Sequence, residues 1–205
     1  MLKIYGHAGS INVRKVLWLC AELGLDFARE DWGGRFRSTV ESEFRALNPF
    51  GMIPVIDDEG FVLAESNAIL RYLAASRARH DLLPAEARPR ARVEAWMDWQ
   101  ASDFNKSWRA VFQARVRNNP AVSAEAAESS AVAFNEAVGN VDAALADGRD
   151  FLCGGFSLAD IVIGLSLHRW KSVPMARPAL MHVDAYYARL CERPSFQRYG
   201  RDGGA

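Results

Sequence analysis

Every strand-like stretch of this 205-residue chain lies before about residue 75. After about Arg90 the apolar residues recur only at helical spacing. A chain whose two parts follow different periods folds as two layers of different kind: a small mixed sheet with flanking helices, then an all-helical part.

In the first part Leu2 to Tyr5 reads as a strand ending at Gly6. Val13, Val16, Leu17 and Cys20 fall on one helical stripe that stops at Gly24. Phe27 to Trp32 is a second strand and Ser42 to Leu47 a short helix closed by Asn48-Pro49. Ile53 to Ile56 is a third strand, Asp57 to Gly60 a hairpin turn and Phe61 to Leu63 a fourth strand. Asn67 to Ala75 is a helix carrying Ile69, Leu70, Tyr72 and Leu73.

In the second part Val93, Trp96, Met97, Phe104, Trp108 and Phe112 predict one long helix or two short ones, broken by Asn118-Asn119-Pro120. Phe134, Val138, Val141 and Leu145 form a further stripe. A third helical block begins near Ser157 and a fourth covers Val183 to Cys191. Arg77 to Pro89 has few large apolar residues and two prolines, and a linker is expected there. The expected domains are residues 1–79 and 90–205, with 80–89 between them.

Half of the residues are apolar and 24% charged, which excludes a disordered chain. No apolar run reaches the roughly 18 residues of a membrane span. The chain opens directly on strand-like sequence with no signal-peptide core, and Cys20, Cys153 and Cys191 are an odd number at long spacing. Free thiols in the cytoplasm are therefore expected. Lys/Arg and Asp/Glu balance at 25 each, which argues against a polybasic nucleic-acid binder. The balance is local cancellation: residues 71–117 hold ten Lys/Arg and five Asp/Glu, residues 118–160 one Arg and seven Asp/Glu. Either two solvated helical faces pair, or a basic wall lies beside a small anion.

Three segments carry polar chemistry. Gly9-Ser10-Ile11-Asn12 places a hydroxyl and an amide where the N–H groups of a helix start are unpaired; it is either an anion site or an ordinary N-cap. In Asn48-Pro49-Phe50-Gly51-Met52-Ile53-Pro54-Val55, a proline inside strand-like sequence marks an edge, a bulge or a cis bond. A cis bond would leave the Ile53 N–H and C=O open to an extended peptide. In Ala64-Glu65-Ser66-Asn67, Ser66 suits an N-cap, but capping does not explain Glu65. A carboxylate beside free helix N–H groups suits an amino acid, ammonium on one and carboxylate on the other. A fourth segment, Phe156-Ser157-Leu158-Ala159-Asp160-Ile161, has the spacing of a capping box and a hydrophobic staple, a helix-nucleating signal with no catalytic role.

These segments, in this order, together with Met97-Asp98-Trp99-Gln100, resemble the glutathione S-transferases over nearly the whole chain, in particular soluble bacterial members with Ser-x-Asn at the start of the first helix. The resemblance implies a thioredoxin-like N-terminal domain, an all-helical C-terminal domain and a homodimer. It implies that glutathione is the co-substrate, that Ile53 beside cis-Pro54 pairs with the cysteinyl backbone, and that Glu65 and Ser66 hold the γ-glutamyl end. Ser10 and Asn12 then orient the sulfur, Ser10 ranked first. Asp103 is a candidate for the partner's γ-glutamyl ammonium. Phe50, Met52 and Ala64 depart from the family pattern. Arg35 or Arg37 is the candidate to replace a cation missing at Met52, and Arg37 is placed with the glutathione ligands.

Trp108, Arg109, Phe112 and Arg115 recur at helical spacing; they are core, or Trp108 and Phe112 line a pocket for an apolar electrophile. Cys20 lies on an apolar stripe and reads as a buried hydrophobe. His7, His80, His168 and His182 do not cluster at metal-ligand spacing, so no metal is expected. The expected activity is conjugation of glutathione to an electrophilic small molecule. The alternatives are glutathione-dependent disulfide or peroxide reduction, isomerisation, or an interaction module without turnover.

Overall fold

The computed structural model describes residues 1–201; the last four residues of the expected helical domain, 202–205, lie outside the described residues. Met1–Leu83, joined by the stretch from Pro194, makes one compact unit, and Pro84–Arg193 makes another.

The first unit runs β1 (Leu2–Tyr5), α1 (Ile11–Leu23), β2 (Phe27–Glu30), α2 (Ser42–Leu47), β3 (Val55–Asp58), β4 (Phe61–Ala64) and α3 (Ser66–Ser76). The sheet order is β2-β1-β3-β4. β1 pairs parallel with β2, antiparallel with β3, and β3 antiparallel with β4. Because side chains alternate along a strand, Ile4 and its partner Ile56 face one side while Tyr5 and Val55 face the other. Val13, Val16, Leu17, Ile69, Leu70 and Leu73 are fully buried from α1 and α3, which pack together. Tyr5 and Val55 meet Trp32 and Phe44, with Leu47, Ile53 and Ala64 packed around them. Burying one such side chain contributes roughly 1.5–3 kcal/mol.

β3 runs on to Asp58 and β4 to Ala64, beyond their expected ends, and two further strand limits differ from the sequence reading. β3 begins at Val55 rather than Ile53, because Pro54 has no N–H for the ladder. β2 ends at Glu30, and Trp32 makes only an isolated bridge to Arg37. Gly24 stops α1 as the glycine signal indicates: it is left-handed (φ 64°), and the N–H of Leu25 donates to the Cys20 carbonyl at 2.9 Å.

The second unit starts with α4 (Ala87–Trp99), which runs through a π-helical turn (Gln100–Phe104) into α5 (Asn105–Ser107) and, after Trp108, α6 (Arg109–Arg115). The one-or-two-helix alternative thus resolves as one rod with a π turn and a break. α7 (Ala124–Ala144) is capped by Ser123, whose hydroxyl accepts from Ala126 N–H at 3.1 Å. α8 (Leu158–Ser172) is apolar nearly all round and buried accordingly, and α9 (Met181–Cys191) follows. Apart from isolated bridges at 151–155, the unit's regular structure is helical.

The last described elements are α10 (Pro194–Phe196) and a π-helical turn (Gln197–Arg201), which cover one face of α1. The Phe196 ring lies 4.6 Å from Trp18, Arg14 donates from Nε to the Tyr199 carbonyl at 2.7 Å, and Ser195 bonds Glu22. Arg14, Trp18 and Glu22 stand four residues apart and so share that face. These contacts explain why the stretch from Pro194 groups with the first unit.

Candidate functional site

β1 and β2 are parallel, so the loops that follow them leave the same end of the sheet. Open sheets bind ligands outside the carboxyl ends of their strands. The loop after β1 holds Gly6 to Ser10 and the loop after β2 holds Asp31 to Thr39. The Ile53 segment reaches the same place. A Cβ added at Gly6 would lie 2.6 Å from Val13 Cγ2 and 3.1 Å from Ile53 Cβ, and one at Gly33 would lie 3.1 Å from Ile53 Cδ1. Both glycines have positive φ, which favours glycine at each, and at Gly6 the space also excludes a side chain.

Ser10 is the N-cap residue of α1 by backbone conformation (φ −85°, ψ 125°), yet its side chain makes no capping bond. Its N–H donates to the His7 carbonyl at 3.1 Å and its C=O accepts from Arg14 N–H at 2.9 Å. The side-chain polar atoms of Ser10 and Asn12 have no partner among the described residues, and both residues are half-buried. The ordinary N-cap reading therefore does not use the hydroxyl. No acidic residue occupies the first turn of α1, so nothing there opposes the positive end of the helix dipole.

The peptide bond Ile53–Pro54 is cis, and the N–H and C=O of Ile53 pair with nothing among the described residues. The preceding loop is clamped by Asn48, itself 1% exposed. Asn48 Nδ2 donates to the Met52 carbonyl at 2.8 Å, and its Oδ1 accepts from Phe50 N–H at 3.1 Å. One buried amide thus fixes both sides of the turn that presents Ile53. Phe50 and Met52 stand outward, 74% and 60% exposed.

Glu65 has φ 70° and ψ 110°, a conformation costing a residue with a Cβ about 1–3 kcal/mol. Its carboxylate is exposed and has no partner among the described residues. Ser66 follows it, buried, as the first residue of α3. Asn67 accepts from Lys15 Nζ at 3.2 Å, so a buried ammonium on α1 ties down the start of α3. The outcome is a strained, outward carboxylate beside a helix N-terminus.

The remaining candidates stand otherwise. Arg37 is exposed, lies 3.8 Å over the Trp32 ring, and pairs with Glu41 at 3.2 Å and Glu43 at 2.5 Å. Any carboxylate ligand competes with those two acids. The bond to Glu43 holds its guanidinium above the ordinary value. Asp103 lies in the π turn, 76% exposed, 3.7 Å from Lys106. Trp108 and Phe112 are 8% and 4% exposed, with Arg169 stacked 4.2 Å from both rings. Arg169 lies over both rings, so in this conformation the two side chains pack against a guanidinium. Cys20 is fully buried, and desolvation pushes its thiol up to about 12. Among the described residues no three His, Cys, Asp or Glu side chains gather as a metal site, and no helix is long and apolar enough to cross a membrane.

Sequence reasoning missed His7. Its half-buried imidazole lies 5.4 Å from the Phe36 ring. A Cβ at Gly9 would lie 3.2 Å from its Nδ1, and a Cβ at Gly34 3.2 Å from its Nε2. The glycines at 9, 33 and 34 were the available signal.

The family described as "Glutathione S-transferase, N-terminal domain" matches residues 1–75. The chain is 30% identical over 201 residues to "Glutathione S-transferase GstB" of Escherichia coli (strain K12), covering 97% of each. It is 34% identical to "Glutathione S-transferase 3" of Zea mays, covering 96% of this chain and 92% of that one. The solved theta class glutathione S-transferase of Xanthomonas axonopodis pv. citri with glutathione bound superposes with a TM-score of 0.91 at 39% identity, over 97% of this chain and 96% of that one.

Proposed function

Because the chain belongs to the glutathione S-transferase family, we propose that it binds glutathione, holds the thiol as a thiolate at Ser10 and transfers it to an electrophilic small molecule. The observation that carries this reading is the unpartnered Ser10 hydroxyl at the N-terminus of α1.

A thiol of pKa about 8.5 is only about 3% ionised at pH 7. Lowering that value by two units takes about 2.7 kcal/mol of preference for the anion. A hydroxyl donating to the sulfur, aided by a helix N-terminus, supplies energy of that order. Ser10 donates without ionising, and Asn12 is the second donor. The Ile53 N–H and C=O pair with the cysteinyl backbone as one strand pairs with another. The Glu65 carboxylate takes the γ-glutamyl ammonium, and Ser66 with the first N–H groups of α3 takes its carboxylate. Arg37 would reach the glycyl carboxylate only by leaving Glu41 and Glu43. The sulfur lone pair attacks the electrophilic carbon, and the leaving group departs with the bonding electrons. An apolar electrophile would be held by the helical unit.

The same reading makes the protein a cytoplasmic homodimer. Its cysteines are free thiols, as in a reducing compartment. Phe50 and Met52 are large apolar side chains left in water, and a cavity of about 310 Å³ on the second unit is lined by Ala95, Trp96, Trp99 and Asn140. A second copy would cover the apolar Phe50 and Met52 side chains, and Asp103 is the candidate for the partner's γ-glutamyl ammonium.

Titration calorimetry with glutathione tests the reading. Saturable binding is expected, and none at millimolar glutathione removes it. Sedimentation tests the dimer: a monomer at tens of micromolar protein removes that part alone.

A further inference from the structure

A cavity of about 570 Å³ opens in the first unit where α1 ends and β2 begins, with Arg198 and Tyr199 of the π-helical turn on its wall. Its volume suits a small molecule, for which about 300–1,000 Å³ is usual. It is distinct from the glutathione site proposed above. Phe27, on its wall, opens β2, whereas the loops around Ser10 and Ile53 gather where β1 and β2 finish. Gly24, also on its wall, stands about 20 Å along α1 from Ser10.

The wall carries both signs of charge, and these charges are not spent on one another. Asp26 is exposed, and its carboxylate has no partner among the described residues. It stands just past the C-terminus of α1, whose last turn holds no basic residue. The Arg79 guanidinium that meets the Glu22 carbonyl at 3.0 Å is itself paired with Asp81 at 2.7 Å, so the negative end of the helix dipole keeps its sign. Arg29 reaches an acid only through Nε, 3.5 Å from Asp31. Arg198 lies 5.0 Å over the Tyr199 ring and pairs with no acid among the described residues. Buried Leu17 and half-buried Phe27 give the cavity an apolar side. A ligand with one charge would leave the opposite pole bare; a ligand with both neutralises each.

We propose that this cavity binds a small zwitterion with an apolar body, a free amino acid or a short peptide. Its carboxylate is taken by Arg29 and Arg198, its ammonium by Asp26 and the end of α1, and its side chain lies on Leu17 and Phe27. Two guanidiniums against one carboxylate make the anionic pole of the ligand the more tightly held. The site stands whether or not the glutathione reading does, because the two share no side chain.

The test is a ¹H–¹⁵N NMR titration of the full chain with L-phenylalanine, phenylalanylglycine, 3-phenylpropanoate and phenethylamine. Each is taken to about 20 mM, a range that covers the weak affinity of so small a ligand. Saturable shifts are expected at the Gly24, Asp26, Phe27 and Tyr199 amides with L-phenylalanine or the dipeptide, and the tighter of the two tells a free amino acid from a peptide. 3-Phenylpropanoate should bind about threefold or more weakly, and phenethylamine more weakly still. Asp26→Asn and Arg198→Met, both at exposed positions, should each weaken the zwitterion about threefold or more. Asp26→Asn should not weaken 3-phenylpropanoate, a pattern that general loosening of the fold would not give. The proposal falls if neither zwitterion gives saturable shifts at these amides, or if the shifts gather at Gly6 to Ser10 instead. It falls equally if either singly charged probe binds as tightly as L-phenylalanine, or if either variant binds L-phenylalanine as the wild type does.

Discussion

The Tyr186 hydroxyl donates to the Asp160 carboxylate at 2.7 Å, both side chains being buried in the helical unit. Asp160 also accepts from Leu152 N–H at 3.0 Å, Ser157 N–H at 2.8 Å and the Ser157 hydroxyl at 3.0 Å. One carboxylate thus joins α9, the 151–155 loop and the start of α8. A hydrogen bond to a charged group contributes about 1.5–3 kcal/mol, so Tyr186→Phe is expected to cost that much in urea unfolding. Asp160→Ala strands several donors at once and should cost about 3 kcal/mol or more. A loss under 1 kcal/mol for Asp160→Ala would mean that water reaches these donors.

Burial pushes the Asp160 carboxyl above the ordinary carboxylate value, against the pull of its donors. A carboxyl with a raised folded-state pKa binds its proton more tightly when folded. Its contribution is therefore fully favourable below the unfolded value, 3.8, and is lost as pH rises through the folded value. Asparagine does not titrate. The stability of the wild type minus that of Asp160→Asn should fall as pH rises from 3 and level off above the folded value. Urea midpoints across pH 3–8 measure it. A difference that grows with pH would show that the donors outweigh burial.

Glu65 separates stability from binding. Its positive φ costs about 1–3 kcal/mol, which glycine avoids. Glu65→Gly is expected to gain up to about 1 kcal/mol in thermal unfolding, less than the full strain because glycine also loosens the unfolded chain. Glu65→Ala keeps the strain and gains nothing. Both remove the carboxylate and should weaken glutathione binding about tenfold or more in calorimetry. If Glu65→Gly binds normally, the ammonium has another partner.

The periodicity change near residue 75 was enough for the layer order, because each element buries a patterned face against its neighbour. The capping box at Ser157 and Asp160 was legible because local spacing alone defines it. What escaped depends on the path of the backbone. Nothing in Glu65 as a letter indicates a left-handed residue, since glutamate rarely adopts that conformation. His7 looked like a solitary histidine because Gly34 and Phe36, which hold it, arrive from the loop after β2. Arg37, placed with the glutathione ligands from the sequence, is instead engaged by Glu41 and Glu43, four and six residues on, a contact that depends on how the loop folds back. Trp108 and Phe112 had a spacing common to pocket lining and packing, and Arg169 from α8 covers them.

Ser10→Ala removes the hydroxyl and leaves the α1 N-terminus. One charge-assisted hydrogen bond is worth about 1.5–3 kcal/mol, which raises the bound thiol pKa by about one to two units. At pH 7 the thiolate fraction, and with it the rate of conjugation to an aryl halide, should fall about 3–25-fold from a bound thiol near pKa 6.5, with little change in glutathione affinity. The thiolate absorbance should shift to higher pH by the same amount. An unchanged titration moves the donor role to Asn12.

The cysteines test whether the protein's own sulfur takes part. Desolvation pushes the Cys20 thiol up to about 12 and that of Cys153 up to about 11. A thiol reacts as its thiolate, and at pH 8 those values leave about one part in 10⁴ and one in 10³ ionised. Ellman-type labelling at pH 8 should therefore leave Cys20 and Cys153 unmodified over minutes in the folded protein and modify all three cysteines in urea. Cys20→Ala creates a small cavity in the α1 core, for about 1 kcal/mol of stability. It should keep glutathione turnover within about twofold, since this thiol is both protonated and enclosed. Rapid labelling of Cys20 in the folded state, or loss of turnover in Cys20→Ala without loss of fold, would make Cys20 a nucleophile. It would also favour a disulfide-exchange reaction over conjugation, because a protein thiolate can carry the mixed disulfide that such exchange requires.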